Sequence, residues 1–268
     1  MLIVVSDFHL SEGRRPGSGK FARTEDFFFD DQLTRFLEYL QKQKPGGVHL
    51  VINGDFIDFL QVGITSSEIA ATLSFCALDG HQKKYICRWG AKTDEPASTF
   101  KLEKVYEGHP VAFEAFGNFL SQGNRITIII GNHDIEFTWP KVQARFRELC
   151  APKVAVMADG GRLDSSLEFA PWIYLDHEYK TYIEHGHQYE SLNSFRYFLY
   201  PVLPGKKEEI NLPFGSLFVR YLLNKVERIN PFADNIRPST KYVAWVFHNK
   251  PLGIWRLTKL IWQFAVSM

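Results

Sequence analysis

Cysteine is scarce: only Cys76, Cys87 and Cys150 occur in 268 residues. An odd number at spacings unlike a zinc knuckle argues against a disulfide framework or a structural zinc site and for buried packing in a reducing, cytoplasmic setting. No stretch of eighteen residues is free of charge, so no membrane-spanning helix is expected. The opening Met1-Leu2-Ile3-Val4-Val5 reaches Asp7 with no basic segment or cleavage signal before it, and reads as a strand rather than a leader. Net charge is nearly absent, at +1. It provides no global field to draw in nucleic acid, so no nucleic-acid partner is expected. Internal repeats and low-complexity segments are also missing.

What is present is apolar and aromatic. The chain is 45% hydrophobic, 15% aromatic and 23% charged, which places it among globular proteins. Its length suits one large domain, or one domain with a sizeable insertion. Short apolar runs at Leu2 to Val5, Val48 to Ile52 and Arg125 to Ile130 predict strands. Between them, Asp26 to Lys44 has helical spacing with acidic residues early and lysines late, and Phe100 to Leu120 predicts helix restarted near Gly108-His109-Pro110. Val142 to Cys150 predicts another short helix, and Trp172 to Leu175 and Tyr179 to Ile183 predict strands joined by a turn. Strand and helix in alternation predict an α/β core with its functional loops at the carboxyl ends of the strands. Farther on, helices are predicted near Leu192 to Leu199, Phe214 to Ile229 and Trp255 to Val266.

Each apolar run ends in a polar cluster. Ser6-Asp7-Phe8-His9, Asn53-Gly54-Asp55-Phe56-Ile57-Asp58 and Gly131-Asn132-His133-Asp134 do so, and Glu184-His185-Gly186-His187 repeats the pattern. Carboxylates, an amide and imidazoles at the ends of buried strands point to metal ions. Asp7 and His9 can reach one ion, Asp55 can bridge two, and Asn132 and His185 add an oxygen and a nitrogen. This mixed donor set favours manganese, iron or zinc over calcium. Two such ions about 3.5–4 Å apart activate a water and brace phosphoryl oxygens for in-line displacement. Asp58 is placed to fix a ligand imidazole, and Asp134 to orient His133, which is free to stabilise phosphate or protonate a leaving group.

D-x-H, G-D-x-x-D and G-N-H-D in that order resemble the calcineurin-like metallophosphoesterase superfamily over residues 1 to about 190. The resemblance implies a four-layer-like α/β sandwich of two mixed β-sheets flanked by helices, around a dinuclear centre. It implies Asp7 and His9 on the first metal, Asp55 bridging, Asn132 on the second, and His133 as the catalytic histidine with Asp134 its partner. His185 then binds the second metal, and His187 is a further candidate ligand. The expected activity is metal-dependent hydrolysis of a phosphate ester by a metal-bridging water, acting on a phosphate-containing small molecule or nucleotide-like substrate.

The family's later G-H-x-H does not follow position 187. Either the chain ends before that element, or His185 and His187 close the site with His177 as the middle ligand. Residues 1–190 are therefore expected as the metallophosphoesterase core, and 191–268 as an aromatic helical extension or cap, preceding a missing closing segment on the first alternative. Two competing readings remain: a catalytically impaired scaffold or interaction protein of the same fold, and a membrane-surface hydrolase of a lipid-linked pyrophosphate. The second would touch a membrane peripherally through the Trp- and Lys-bearing stretch 251–262. Arg14, Arg15, Lys20 and Arg23 form a basic loop, read either as solvated or as a mobile lip for an anionic substrate.

Overall fold

A computed structural model of the chain describes residues 1–63, 91–151 and 165–227, with isolated positions 241, 248, 258, 259 and 262 beyond them. The expected helix at Trp255 to Val266, the stretch 251–262 apart from those isolated positions, and Cys76 and Cys87 lie outside the described residues.

Four strands, β1 (Leu2–Val5), β2 (His49–Asn53), β3 (Arg125–Ile129) and β4 (Leu167–Ala170), form one sheet in that order. Every pairing in it is parallel. Helix α1 (Asp30–Gln43) connects β1 to β2, α2 (Glu95–Gly108) and α3 (Pro110–Ser121) precede β3, and α4 (Pro140–Cys150) follows it. Right-handed crossovers that always step the same way along a sheet put every connecting helix on one face. The core agrees: Leu50, Ile52, Ile126 and Ile128 pack with Leu37 and Leu40 of α1, Phe113 and Phe116 of α3, and Phe146 of α4.

The helices start where local chemistry satisfies free amides. Asp94 accepts a hydrogen bond from Ala97 N at 2.9 Å and caps α2, and Pro110 and Pro140 occupy the first turns of α3 and α4. In α1, Asp30 and Asp31 lie in the first turn and Lys42 in the last, with Leu33, Leu37 and Leu40 buried between them. Phe56 meets Phe116 and Phe146 edge to face, Phe137 meets Phe146 the same way, and Phe113 meets Phe146 at a tilt. Cys150 is free and buried among them, its thiol pushed up by burial.

The other face of the sheet carries an antiparallel hairpin of β5 (Ile173–Asp176) and β6 (Thr181–Glu184). Ile183 packs on Val51 and Ile129, which alternate in direction with the helix-facing Ile52 and Ile128. His49 points the same way, its Nε2 2.8 Å from Thr127 Oγ1 and its ring edge-on to Tyr174. The turn expected at Asp176-His177-Glu178 is present, with His177 exposed.

Two features of the later chain differ from the sequence expectation. Leu192 to Leu199 is a series of turns, not a helix. Its helix-like spacing comes from Phe195 and Phe198, which anchor the turns to the core, while Gln188 Oε1 accepts from Phe195 N at 3.0 Å. Residues next to Pro201 and Pro204 form instead a short hairpin, β7 (Val202–Leu203) and β8 (Lys206–Ile210), turning at Gly205 with φ 82°. Helical structure does cover Phe214–Phe218 (α5) and Asn224–Glu227 (α6), with a π-helical stretch Val219–Leu223 between them.

Candidate metal centre

The carboxyl ends of β1, β2 and β3 lead into loops that are tied to one another rather than to solvent. Asp7 N donates to Gly54 O at 3.2 Å, His9 N to Asp55 O at 2.9 Å, and Leu10 N to Phe56 O at 3.0 Å. Phe59 N reaches His133 O at 3.2 Å and joins the third loop. The backbone turns inward at a steric cost. Asp7, His9 and Asp55 take left-handed φ values of 56°, 50° and 50°, which side-chain-bearing residues avoid. Strain of this kind, roughly 1–3 kcal/mol per residue, persists where the surroundings impose it, and it clusters at functional sites. Gly131 is required for a different reason: a Cβ there would lie 2.3 Å from Asp55 Oδ1.

These loops, with the end of β6, enclose an open cavity of about 430 Å³. Asp7, His9, Asp55, Asn132, His133, His185 and His187 all line it, as do Ser6, Asn53, Glu190 and Asn193. Two groups of donor atoms converge within 4.8 Å: Asp7, Asp55 and His185, and His9, Asp55 and His133. Asp55 belongs to both. His185 Nε2 lies 3.3 Å from Asp55 Oδ2 and 3.3 Å from Asn132 Oδ1, and His9 Nε2 approaches the same Asp55 oxygen at 3.8 Å.

The imidazoles are held from behind. Asp58, fully buried, takes His9 Nδ1 at 3.1 Å and His133 Nδ1 at 2.7 Å on one oxygen. Its other oxygen accepts the amides of Leu60 and Gln61, both at 3.0 Å. His185 Nδ1 donates to Asn53 O at 2.9 Å. In all three rings the Nδ1 proton is engaged, so Nε2 is the nitrogen left for the cavity. Asp134 has a different part from the one the sequence assigns. Its carboxylate accepts Gly131 N at 2.6 Å and Phe56 N at 2.8 Å, binding the second and third loops together, while Asp58 is the carboxylate hydrogen-bonded to the His133 imidazole.

Electrostatics make the cavity a cation trap. Burial opposes charge on His133, but Asp58, Asp55 and Asp134 outweigh it and push the imidazole up to about 10. Burial likewise opposes His185, and Asp55 raises it to about 9; His9 is raised by Asp58 and Asp55 against its own desolvation. Burial also disfavours the charged forms of Asp55 and Asp58, yet the surrounding imidazoles hold both carboxyls well below the usual range. The protons on these rings compensate a negative site that dications would compensate better, and bound ions would drive those protons off. One buried acceptor on the cavity wall, Asn53 Oδ1, has no hydrogen-bond partner, as expected where a cation or its water belongs. The donor set therefore fits first-row metals.

His187 lines the cavity without joining either converging group, its ring 5.4 Å from that of His185 and edge-on to Phe195. Burial, and then the neighbouring His185, lower it to about 4, so it is neutral, and its Nε2 accepts from Gln188 Nε2 at 3.0 Å, which leaves the ring proton on Nδ1. His177 is not among the residues that line the cavity. Thr181 pairs with Asp176 at one end of the hairpin and Glu184 with Ile173 at the other. His177 sits at the turn, roughly three residue rises of about 3.4 Å from the end that carries His185.

The basic loop does not line the cavity. Arg14 lies 4.1 Å over the Phe21 ring and donates to Gly19 O, and Gly13 N is bound by Glu25. Gly13 and Gly108 are packed backbone to backbone, so this loop is docked on the α2–α3 junction rather than mobile. Sequence reasoning missed Asn53, Glu190 and Asn193 on the wall. Asn53 directly precedes Gly54-Asp55 and had a signal in that cluster, whereas Glu190 and Asn193 had only their nearness to His187.

No curated protein and no solved structure matches the chain. The sequence signature of the calcineurin-like phosphoesterases matches residues 1–252. With that match spanning nearly the whole sequence, the chain belongs to the calcineurin-like phosphoesterase family.

Proposed function

We propose that the cavity hydrolyses a phosphate ester with two metal ions bound, one held by Asp7, His9 and Asp55 and the other by Asp55, Asn132 and His185. The observation that carries this is the position of Asp55: a buried carboxylate in a left-handed turn, shared by both converging donor groups. The division of the other ligands between the two ions follows the family resemblance, because those groups pair Asp7 with His185 and His9 with His133. Manganese, iron and zinc suit the oxygen–nitrogen set. Such ions, when bound, supply a nucleophile at neutral pH and neutralise the phosphoryl oxygens.

The protein's own groups perform the rest. His133, held through Nδ1 by Asp58, presents Nε2 to the cavity. It donates a hydrogen bond to a phosphoryl oxygen and then a proton to the leaving oxygen as the P–O ester bond breaks. Asp58 keeps the imidazole in the tautomer and orientation that this requires, and Asp134 holds the loops in register. His187 lines the cavity and would have to release Gln188 from its Nε2 to supply the nitrogen that the family's G-H-x-H brings. The hairpin β5–β6 would belong to the second sheet of the family's sandwich, and the aromatic residues after position 190 would flank the cavity.

The inert-scaffold reading is not favoured, because strained backbone is retained at three donor residues. Nothing favours the membrane reading, and among the described residues no helix is long and apolar enough to cross a bilayer. The test is turnover of bis(p-nitrophenyl) phosphate with added manganese. Native protein is expected to turn it over, and Asp55→Asn to lose at least about a hundredfold in kcat/KM with its circular dichroism unchanged. No turnover by native protein with two ions bound would leave the scaffold reading standing.

A further inference from the structure

Beside the metal cavity lies a second hollow of about 500 Å³, lined by Tyr197, Phe198, Leu199, Tyr200, Val202 and Leu203 among others. The chain runs directly from one to the other. Glu190 and Asn193 line the metal cavity, and Arg196 opens the wall of the hollow three residues later, no more than about 11 Å away along the chain. Along this stretch Tyr189 is 79% and Leu192 51% exposed, while Phe195 is buried. The hollow's rim stays exposed too, with Leu199 at 64% and Tyr200 at 62%.

This segment is not loosely draped. Phe195 is buried against the His187 ring at 5.7 Å, and Phe198 packs edge-on to Trp172 at 4.8 Å. Phe195, the residue before the wall of the hollow begins at Arg196, thus packs on a side chain of the metal cavity. Large apolar side chains held open on a fixed segment leave unfavourable surface in water unless something covers it. Their position next to the cavity along the chain points to the occupant. We propose that the hollow receives the apolar organic group of the phosphate ester whose phosphate sits in the metal cavity, an inference that rests on the phosphoesterase reading above. The substrate class is then a phosphate ester with a bulky apolar arm.

The test compares two diesters with the same leaving group, methyl p-nitrophenyl phosphate and octyl p-nitrophenyl phosphate, on the manganese-loaded full chain. The ratio of their kcat/KM values is expected to favour the octyl ester by roughly tenfold or more, the scale on which added methylenes discriminate in an apolar pocket. The double variant Leu199→Ser, Tyr200→Ser should bring that ratio close to one. A ratio near one in native protein that still turns over the methyl ester overturns the inference and leaves the hydrolytic reading intact. Calorimetric titration with octyl phosphate, below its micellar concentration, against methyl phosphate separates the two claims further. If neither diester is turned over yet octyl phosphate binds roughly tenfold more tightly, the hydrolytic reading falls and the apolar subsite stands. Equal binding of both overturns the subsite. Should the double variant convert a dimer to a monomer by sedimentation without changing either ratio, a second copy of the chain covers the hollow and the inference is wrong.

Discussion

Asp58 shows how much one buried carboxylate can organise. One of its oxygens holds two imidazoles and the other holds two amides. A neutral amide in its place would keep the volume and lose the charge that favours protonated Nδ1 on both rings. Asp58→Asn is expected to lower manganese-dependent kcat or metal affinity by about 10–100-fold, as removal of partners behind a ligand does elsewhere. Its readouts are kcat and the manganese dissociation constant, with folding followed by circular dichroism. A variant with unchanged metal affinity and turnover would show that the Asp58 contacts do not position His9 and His133 for function. The sequence made Asp58 a candidate for holding an imidazole, but it gave the His133 imidazole to Asp134. Adjacency in sequence misled there, because Asp134 lies on the far side of its turn, where the amides of Gly131 and Phe56 take up both of its oxygens.

Between elements, the junction of α2 and α3 is fastened to the loop that follows the Asp7–His9 pair. His109 is fully buried there, with Nε2 3.1 Å from Glu25 Oε2 and Nδ1 2.9 Å from Asp30 Oδ1. Burial opposes its charge, but the two carboxylates outweigh it and push the imidazole up to about 9. A histidine raised in the folded state contributes its full stabilisation below the unfolded pKa of about 6.5 and loses it as pH climbs through the folded value. The stabilisation is therefore expected to fall between about pH 6.5 and 9, by roughly 3 kcal/mol for this one group. Urea unfolding across that range checks it: His133 and His185 are raised over the same window, so His109→Gln should remove about a third of the slope. An equally steep decline in the variant would place the pH dependence elsewhere.

This brace was not legible in the sequence, where His109 looks like an ordinary helix-boundary histidine beside Pro110. Its partners stand 84 and 79 residues away, and no local pattern marks them. Strands β1, β2 and β3 and the helices between them were legible because short apolar runs and 3.6-residue periodicity report directly on burial. β4 was missed: Leu167-Glu168-Phe169-Ala170 is too short and mixed to stand out, and it becomes a strand by pairing with Ile126–Ile129 of β3. The turns of Leu192 to Leu199 have helical spacing for the opposite reason, since Phe195 and Phe198 are separate anchors rather than one face of a helix.

Across the whole molecule, the folded chain gathers carboxylates from three loops that an unfolded chain would keep far apart. Metal binding and folding are consequently linked. Manganese at about a hundred times its dissociation constant should stabilise the fold by about 2.7 kcal/mol. For a chain of this size that raises Tm by roughly 5–10 °C. Scanning calorimetry with manganese and then with excess chelator is expected to show the rise and its reversal, and Asp55→Asn to abolish both. A chelator-insensitive Tm in a protein that binds metal would mean that the ions sit outside the described loops.

The sequence by itself determined the identity and order of the strand-end clusters, and with them the family and the chemistry of its donors, because those depend on residue type and on what precedes each cluster. Only the tertiary structure decided which carboxylate serves which imidazole, that His177 stands at the wrong end of its hairpin, and that the basic loop is docked away from the cavity. The first of those outcomes depends on contacts between loops 49 to 78 residues apart along the chain, the second on the register of one hairpin, and the third on a backbone contact between Arg14 and Gly108. Such contacts are set by how the parallel strands align and not by anything encoded within a single motif.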